Sequence, residues 1–203
     1  MRALLLSLAS ATLALAVVAC KPAPPAATRS APAPAATGST AESSTSRTNA
    51  FFARAGFDIP SSRINATDFT LESLEGRKVS LSSFKGKLVV LSFWATWCVP
   101  CQEEMPAMQT LYDSLRGRGF EIVAVDVMED KATVAEFRKD HGYTFPILLD
   151  SSGAAAGVYG AQGIPTNYVI DRDGRVLARV VGVGGPGWTS AEMKALFDLL
   201  LPP

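Results

Sequence analysis

Residues 88–101 constrain this chain more than any other stretch. Leu88-Val89-Val90-Leu91-Ser92-Phe93-Trp94 is a near-continuous apolar run, the pattern of a strand buried on both faces. Ala95-Thr96-Trp97 leads from it into Cys98-Val99-Pro100-Cys101, and a helical pattern continues from Cys98 to about Arg116, interrupted by Pro106. A cysteine at a helix start meets unpaired N–H groups and the positive end of the helix dipole, which favour thiolate over thiol. The spacing lets the sulfurs of Cys98 and Cys101 meet across one turn, so the pair can cycle between dithiol and disulfide.

The elements around this junction fix the fold class. Asp68-Phe69-Thr70-Leu71 and Lys78-Val79-Ser80-Leu81 read as short edge strands turning at Glu75-Gly76. Phe120 to Val127 is a second buried strand, and Lys131 to His141 is helical and stops at Gly142. His141 then reads as a helix C-terminal residue. Asn167 to Ile170 and Arg175 to Val181 pair around Arg172-Asp173-Gly174, an Asp-Gly hairpin turn that explains its acidic residues without calcium. Ser190 opens a final helix through Leu201. This order, βαβ, a further α element, then ββα, predicts an α/β sandwich with a mixed sheet.

The N-terminus reads as an export signal. Met1-Arg2 is a short charged region, and Ala3 to Val18 contains only Ala, Leu, Val, Ser and Thr. The run is too short for a comfortable membrane span, and no other apolar stretch approaches the required ~20 residues. Val17-Val18-Ala19-Cys20 resembles the lipobox of bacterial lipoproteins. The resemblance implies cleavage after residue 19 and a lipidated Cys20 as the mature N-terminus, anchored in a bilayer by its acyl chains. Lys21, rather than Asp, at the second mature position slightly favours the outer over the inner membrane. Residues 20–65 are expected to be a disordered Pro/Ala/Ser/Thr-rich tether, with Phe51, Phe52 and Phe57 docking locally or beginning the folded unit. Residues 66–203 are expected to be the folded domain. Lys plus Arg and Asp plus Glu both number 19, which argues against a strongly basic nucleic-acid binder.

Two other uses of the cysteines compete with redox cycling. A zinc site wants four ligands, and with Cys20 given to lipid only Cys98, Cys101 and His141 remain. A purely structural disulfide would close a tiny loop and remove little chain entropy. Redox chemistry is the favoured reading, with no metal or cofactor.

Phe93 to Cys101 with Glu104-Met105-Pro106, then Gly163-Ile164-Pro165-Thr166-Asn167-Tyr168-Val169-Ile170-Asp171, resembles the TlpA/ResA-like branch of the thioredoxin superfamily, also grouped with alkyl hydroperoxide reductase/thiol-specific antioxidant relatives. The resemblance spans roughly residues 68–200. It implies a thioredoxin fold: a mixed central sheet flanked by helices, an N-terminal β-hairpin and a central αβ insertion near residues 131–150. It also implies an extracytoplasmic thiol–disulfide oxidoreductase that reduces protein disulfides, for example in cytochrome c maturation, with electrons from a membrane thiol donor.

The resemblance assigns roles by position. Cys98 would attack a target disulfide and Cys101 would resolve the mixed disulfide. Pro165 matches the family's cis-proline, beside which the Ile164 backbone would receive an extended substrate segment; Trp97, Pro100 and Thr166 would complete that contact surface. Trp94 and Trp97 are expected to pack around the site. Glu104 matches an acid that helps deprotonate the buried thiol, although a first-turn carboxylate favoured by the helix dipole explains it equally well. Thioredoxin itself carries a buried Asp where this chain has Ser92, which leaves Glu104 as the nearby candidate acid. A peroxidase of the peroxiredoxin type lacks its Thr-x-x-Cys context and activating Arg here. A copper-binding assembly lipoprotein would need a wider Cys spacing and a downstream His.

Overall fold

A computed structural model of the chain describes residues 39–182 and 187–201. The leader at residues 1–19, Cys20 and the Ala-Pro-rich stretch after it lie outside the described residues.

Eight strands form one mixed sheet: β1 (Ile64–Asn65), β2 (Thr70–Ser73), β3 (Lys78–Ser80), β4 (Leu88–Trp94), β5 (Phe120–Val127), β6 (Ile147–Asp150), β7 (Thr166–Ile170) and β8 (Arg175–Val181). Their spatial order is β1-β8-β7-β4-β5-β6-β2-β3. The apolar run of residues 88–94 becomes the central strand β4, buried along its whole length. It pairs in parallel with β5 and antiparallel with β7. Five helices complete the fold: α1 (Ser39–Arg54), α2 (Val99–Leu115), α3 (Lys131–His141), α4 (Ala154–Val158) and α5 (Ala191–Leu200). This is the thioredoxin fold expected from the sequence. The hairpin β2–β3 adds to one edge, and α3–β6 is the central insertion, with β6 parallel to β5.

Strand alternation divides the core. Leu88, Val90 and Trp94 face an apolar cluster holding Cys98, Cys101, Met105, Met108 and Leu111 of the α2 segment and Leu196 and Phe197 of α5. Val89, Leu91 and Phe93 face the other cluster, with Ala155, Ala156 and Tyr159. The disulfide-bearing helix thus lies on one defined face of the sheet.

Local signals explain the helix limits. Asp130 caps α3 by accepting from the Ala132 and Thr133 N–H groups, and Gly142 ends it with φ 70°. His141 closes α3 as expected, its ring stacked 4.1 Å from that of Phe137. Ser190 Oγ caps α5 by accepting from Met193 N at 3.2 Å. The Asp171 carboxylate organises the β7–β8 turn, accepting from Asp173 N at 2.9 Å and Arg175 N at 2.8 Å. Pro106 sits inside α2, which runs on through it to Leu115.

The expected tether is corrected at its C-terminal end. Residues 39–54 form α1, which packs on α5. Phe52 is fully buried, its ring 5.2 Å from that of Phe57, which in turn lies 6.2 Å from Trp188. Thr48, one turn before Phe52, is buried too. The Ser- and Thr-rich composition is weakly helix-forming on its own. A narrow stripe at Thr48 and Phe52, docked on the domain, supplies the stabilisation that composition does not reveal. Phe52 and Phe57 belong to the folded unit together with α1, so its boundary precedes residue 66.

Candidate active site

Cys98 and Cys101 form a disulfide with a Cα–Cα separation of 5.2 Å. Cys98 is the N-cap of α2, and its sulfur accepts from the Cys101 N–H at 3.3 Å. That bond reaches a thiolate in the reduced state, where sulfur is the stronger acceptor. Pro100 falls in the first helical turn, where its missing N–H costs nothing. Cys98 is 4% exposed and Cys101 0%, so both are buried and Cys98 is the nearer of the two residues to solvent. Trp97 and Val99 flank it at 68% and 62% exposure. Both tryptophans flank the cysteine motif, Trp94 buried at the end of β4 and Trp97 exposed in the residue before Cys98.

The turn before Cys98 is held through Thr96. Its N–H and its hydroxyl each donate to Glu129, both at 2.5 Å, and its carbonyl accepts from Gln102 Nε2 at 2.5 Å. Three side-chain bonds to one residue fix the loop that presents Cys98.

Glu104 lies in the second turn of α2, which removes the first-turn dipole explanation. Spaced three residues from Cys101, it shares that residue's side of the helix. Its Oε1 accepts from Asn167 Nδ2 at 3.0 Å, and its Oε2 from Trp188 Nε1 at 3.5 Å. Burial holds its carboxyl above the usual range, partly offset by these two donors. Asn167 is the register partner of Ser92. The polar group facing the sheet at this level is therefore a carboxyl delivered from α2 and tied to β7.

The Ile164–Pro165 peptide bond is cis. Because Phe93 pairs with Thr166, Pro165 falls level with Trp94, where the chain leaves β4 for the cysteines. Pro165 is buried and Ile164 partly exposed. The Pro165 carbonyl accepts from Gly182 N at 2.8 Å. Thr166 is fully buried and its hydroxyl donates to the Gly163 carbonyl at 2.5 Å. Thr166 therefore shapes the loop rather than offering an open side chain.

Four polar residues around the site have no counterpart in the sequence reading: Gln102, Glu129, Asn167 and Trp188. Asn167 follows Pro165 by two positions in a strand, where alternation puts the two on one face, so it was accessible to the same reasoning. Glu129 and Trp188 come from distant loops with no local pattern to announce them. Among the described residues no cluster of His, Cys, Asp and Glu has the makings of a metal site, and no helix is long and apolar enough to cross a membrane.

The AhpC/TSA family model matches residues 64–179. The thiol-disulfide oxidoreductase ResA of Geobacillus thermodenitrificans is 44% identical over 137 residues, covering 68% of this chain and 76% of that protein. ResA of Bacillus subtilis is 40% identical over 134 residues, covering 66% and 74%. Among solved structures, a putative thiol:disulfide interchange protein DsbE from Chlorobium tepidum superposes with a TM-score of 0.59 at 32% identity, covering 70% of this chain and 94% of that one. StoA from Bacillus subtilis gives 0.52 at 30% identity, covering 61% and 97%.

Proposed function

This chain belongs to the AhpC/TSA family as a TlpA/ResA-like thiol-disulfide oxidoreductase, and from that premise we propose that it is a lipid-anchored, extracytoplasmic reductase of protein disulfides. The observation that carries the reading is the placement of Cys98: N-cap of α2, its sulfur accepting from the Cys101 N–H, in the less deeply buried residue of the pair.

In the reduced protein the Cys98 thiolate attacks one sulfur of a target disulfide. A Cys98–target bond forms, the target S–S bond breaks, and the second target sulfur leaves as a thiolate that takes a proton. Glu104, on the same side of α2, takes the proton of Cys101. The Cys101 thiolate attacks Cys98 sulfur, the mixed disulfide breaks, and the first target sulfur leaves reduced. Two electrons pass to the target, and the protein is left with the Cys98–Cys101 disulfide present in this structure. A membrane thiol donor reverses the change by the same two exchanges. The target segment approaches between Trp97 and Pro100 on one side and the Ile164–Pro165 loop on the other, pairing as an added strand with the Ile164 backbone. Maturation of cytochrome c, whose cysteines must be reduced, is a pathway that fits this chemistry.

The lipobox-like Val17-Val18-Ala19-Cys20 supports the anchored part of the reading, with acylation of Cys20, the periplasmic side of a bacterial membrane as location and the outer membrane favoured by Lys21. Residues 20–38 then tether the domain, α1 being part of the folded unit.

A Cys101→Ser variant in the native host tests the proposal. Without a resolving thiol, targets accumulate on Cys98 as mixed disulfides that mass spectrometry identifies, and the wild-type protein is mostly reduced in the cell. No trapped protein, with a wild type that is mostly oxidised, contradicts a reductase.

A further inference from the structure

A continuous set of side-chain contacts joins the N-terminal helix to Glu104. Trp188, in the loop before α5, is buried and donates from Nε1 to Glu104 Oε2 at 3.5 Å. Its ring stands nearly perpendicular to that of Phe57, with centroids 6.2 Å apart. Phe57 in turn meets Phe52 of α1 in an edge-type contact at 5.2 Å. Both phenylalanines are buried. Four side chains thus connect α1 with the carboxyl that takes the Cys101 proton.

The backbone makes this connection stiff. Gly56 follows α1 at φ 78°, Phe57 N donates to Phe52 O at 3.0 Å, and Gly56 N donates to Ala53 O at 3.1 Å. This pair of bonds is the left-handed glycine stop of a helix, which brings the residues on either side of it, here Phe52 and Phe57, into apolar contact. One residue on, Asp58 N donates to Arg179 O at 2.7 Å and Arg179 N to Asp58 O at 2.9 Å, which fixes Phe57 against β8. At the other end, Ser190 N donates to Gly187 O at 2.6 Å around Trp188. Ser190 also caps α5, the helix on which α1 packs.

We propose that Trp188 is a positioning residue for Glu104, kept in place by α1 through Phe52 and Phe57, so that transfer of the Cys101 proton depends on the docked N-terminal helix. The inference rests on Glu104 as the acceptor of that proton. An indole N–H only donates, so at Oε2 it favours the carboxylate, the form able to take the proton. Asn167 supports Oε1 in the same way, but its place is fixed by the register of β7 on β4. Trp188 comes from a loop, and its place depends on the ring behind it. With α1 displaced, that support goes and the donor leaves Oε2. Asn167 and Trp188, the described groups that oppose the effect of burial on Glu104, are both uncharged. On α2, Cys101 shares its side of the helix, and Glu103 is exposed. Arg47 and Arg54 of α1, and Glu192, Lys194 and Asp198 of α5, are exposed as well.

The test reads the Glu104 carboxyl itself. In oxidised protein carrying isotope-labelled glutamate, its NMR titration is the one missing from Glu104→Gln. Trp188→Phe keeps a ring against Phe57 and removes the N–H, and the Glu104 midpoint is expected to rise by at least about half a pH unit. Phe52→Ala is expected to raise it too, and the double variant to rise no further than Trp188→Phe. In reduced protein, resolution of a preformed mixed disulfide on the acid side of that midpoint is expected to slow by about threefold in Trp188→Phe, the loss of carboxylate that half a unit brings. A midpoint unmoved or lowered in either single variant, or a double variant shifted beyond Trp188→Phe, overturns the proposal. If Phe52→Ala does not fold, Phe52→Leu, which keeps most of the volume but loses the ring contact with Phe57, is read by the same criteria. An unchanged resolution rate in Glu104→Gln contradicts Glu104 as the acceptor instead, and the NMR midpoints then decide the placement by themselves.

Discussion

Asn167 donates from Nδ2 to Glu104 Oε1 at 3.0 Å, tying the cysteine-bearing helix to the strand that begins just after Pro165. The bond puts a carboxyl at the level of Ser92, reached from a helix rather than from the strand itself.

Removing that carboxyl should separate the two halves of the exchange. In Glu104→Gln, Cys98 alkylation at neutral pH changes little beside the loss at Cys101, whose deprotonation loses its acceptor. Resolution of a preformed mixed disulfide is expected to slow by about 100-fold, the usual scale for a positioned base. Rapid-quench measurement of target release checks it, and an unchanged resolution rate assigns the proton to another group.

The same residue makes stability depend on pH. Burial raises the Glu104 carboxyl above its ordinary 4.5, so the folded state holds the proton where the unfolded chain has lost it. The favourable contribution is complete below the unfolded value and is lost as pH rises through the folded one. Relative to wild type, Glu104→Gln should therefore gain stability between about pH 4 and pH 7. Urea denaturation of oxidised protein at both values reads the difference; a gain in the opposite direction contradicts a raised carboxyl.

The N-terminal helix makes a prediction that a disordered tether would not. Phe52→Ala deletes a fully buried ring from the α1–α5 contact, at an expected cost of about 3 kcal/mol. The denaturation midpoint should fall, and trypsin should cleave after Arg47 or Arg54 faster than in wild type. No change in either would place α1 outside the folded unit.

Ser190→Ala removes the acceptor of Met193 N–H at the start of α5. A loss of about 1 kcal/mol is expected in thermal or urea unfolding. A neutral substitution would mean that packing of Met193, Leu196 and Phe197, all buried, holds the first turn unaided.

Much of the fold was legible because its signals are local. The apolar run at residues 88–94, the alternation and turn around Asp171–Gly174, and the stop at Gly142 each depend on a few adjacent residues. The limits of β5, α3 and β8 coincide with those patterns. Helix α1 was not legible, because its stability comes from Phe52 meeting residues far away in the chain. The two-residue β1 pairs with β8 across more than a hundred positions, with no pattern of its own. At the site, the motif located Cys98, Cys101, Glu104 and Pro165, whereas the bonds that orient them come from Glu129, Asn167 and Trp188 in other elements. Trp94 and Trp97 were both expected around the site, but their different exposure, 1% and 68%, is set by the turn of the backbone after β4 and has no local signal.

The asymmetry of the two sulfurs is tested most directly by alkylating the reduced protein with limiting iodoacetamide across a pH series and locating the label by mass spectrometry. Cys98 should be labelled first and Cys101 only after unfolding, with the Cys98 rate reaching half its maximum below the free-cysteine value of about 8.5. Label appearing first on Cys101, or a Cys98 midpoint at or above that value, would contradict a thiolate poised at the start of α2.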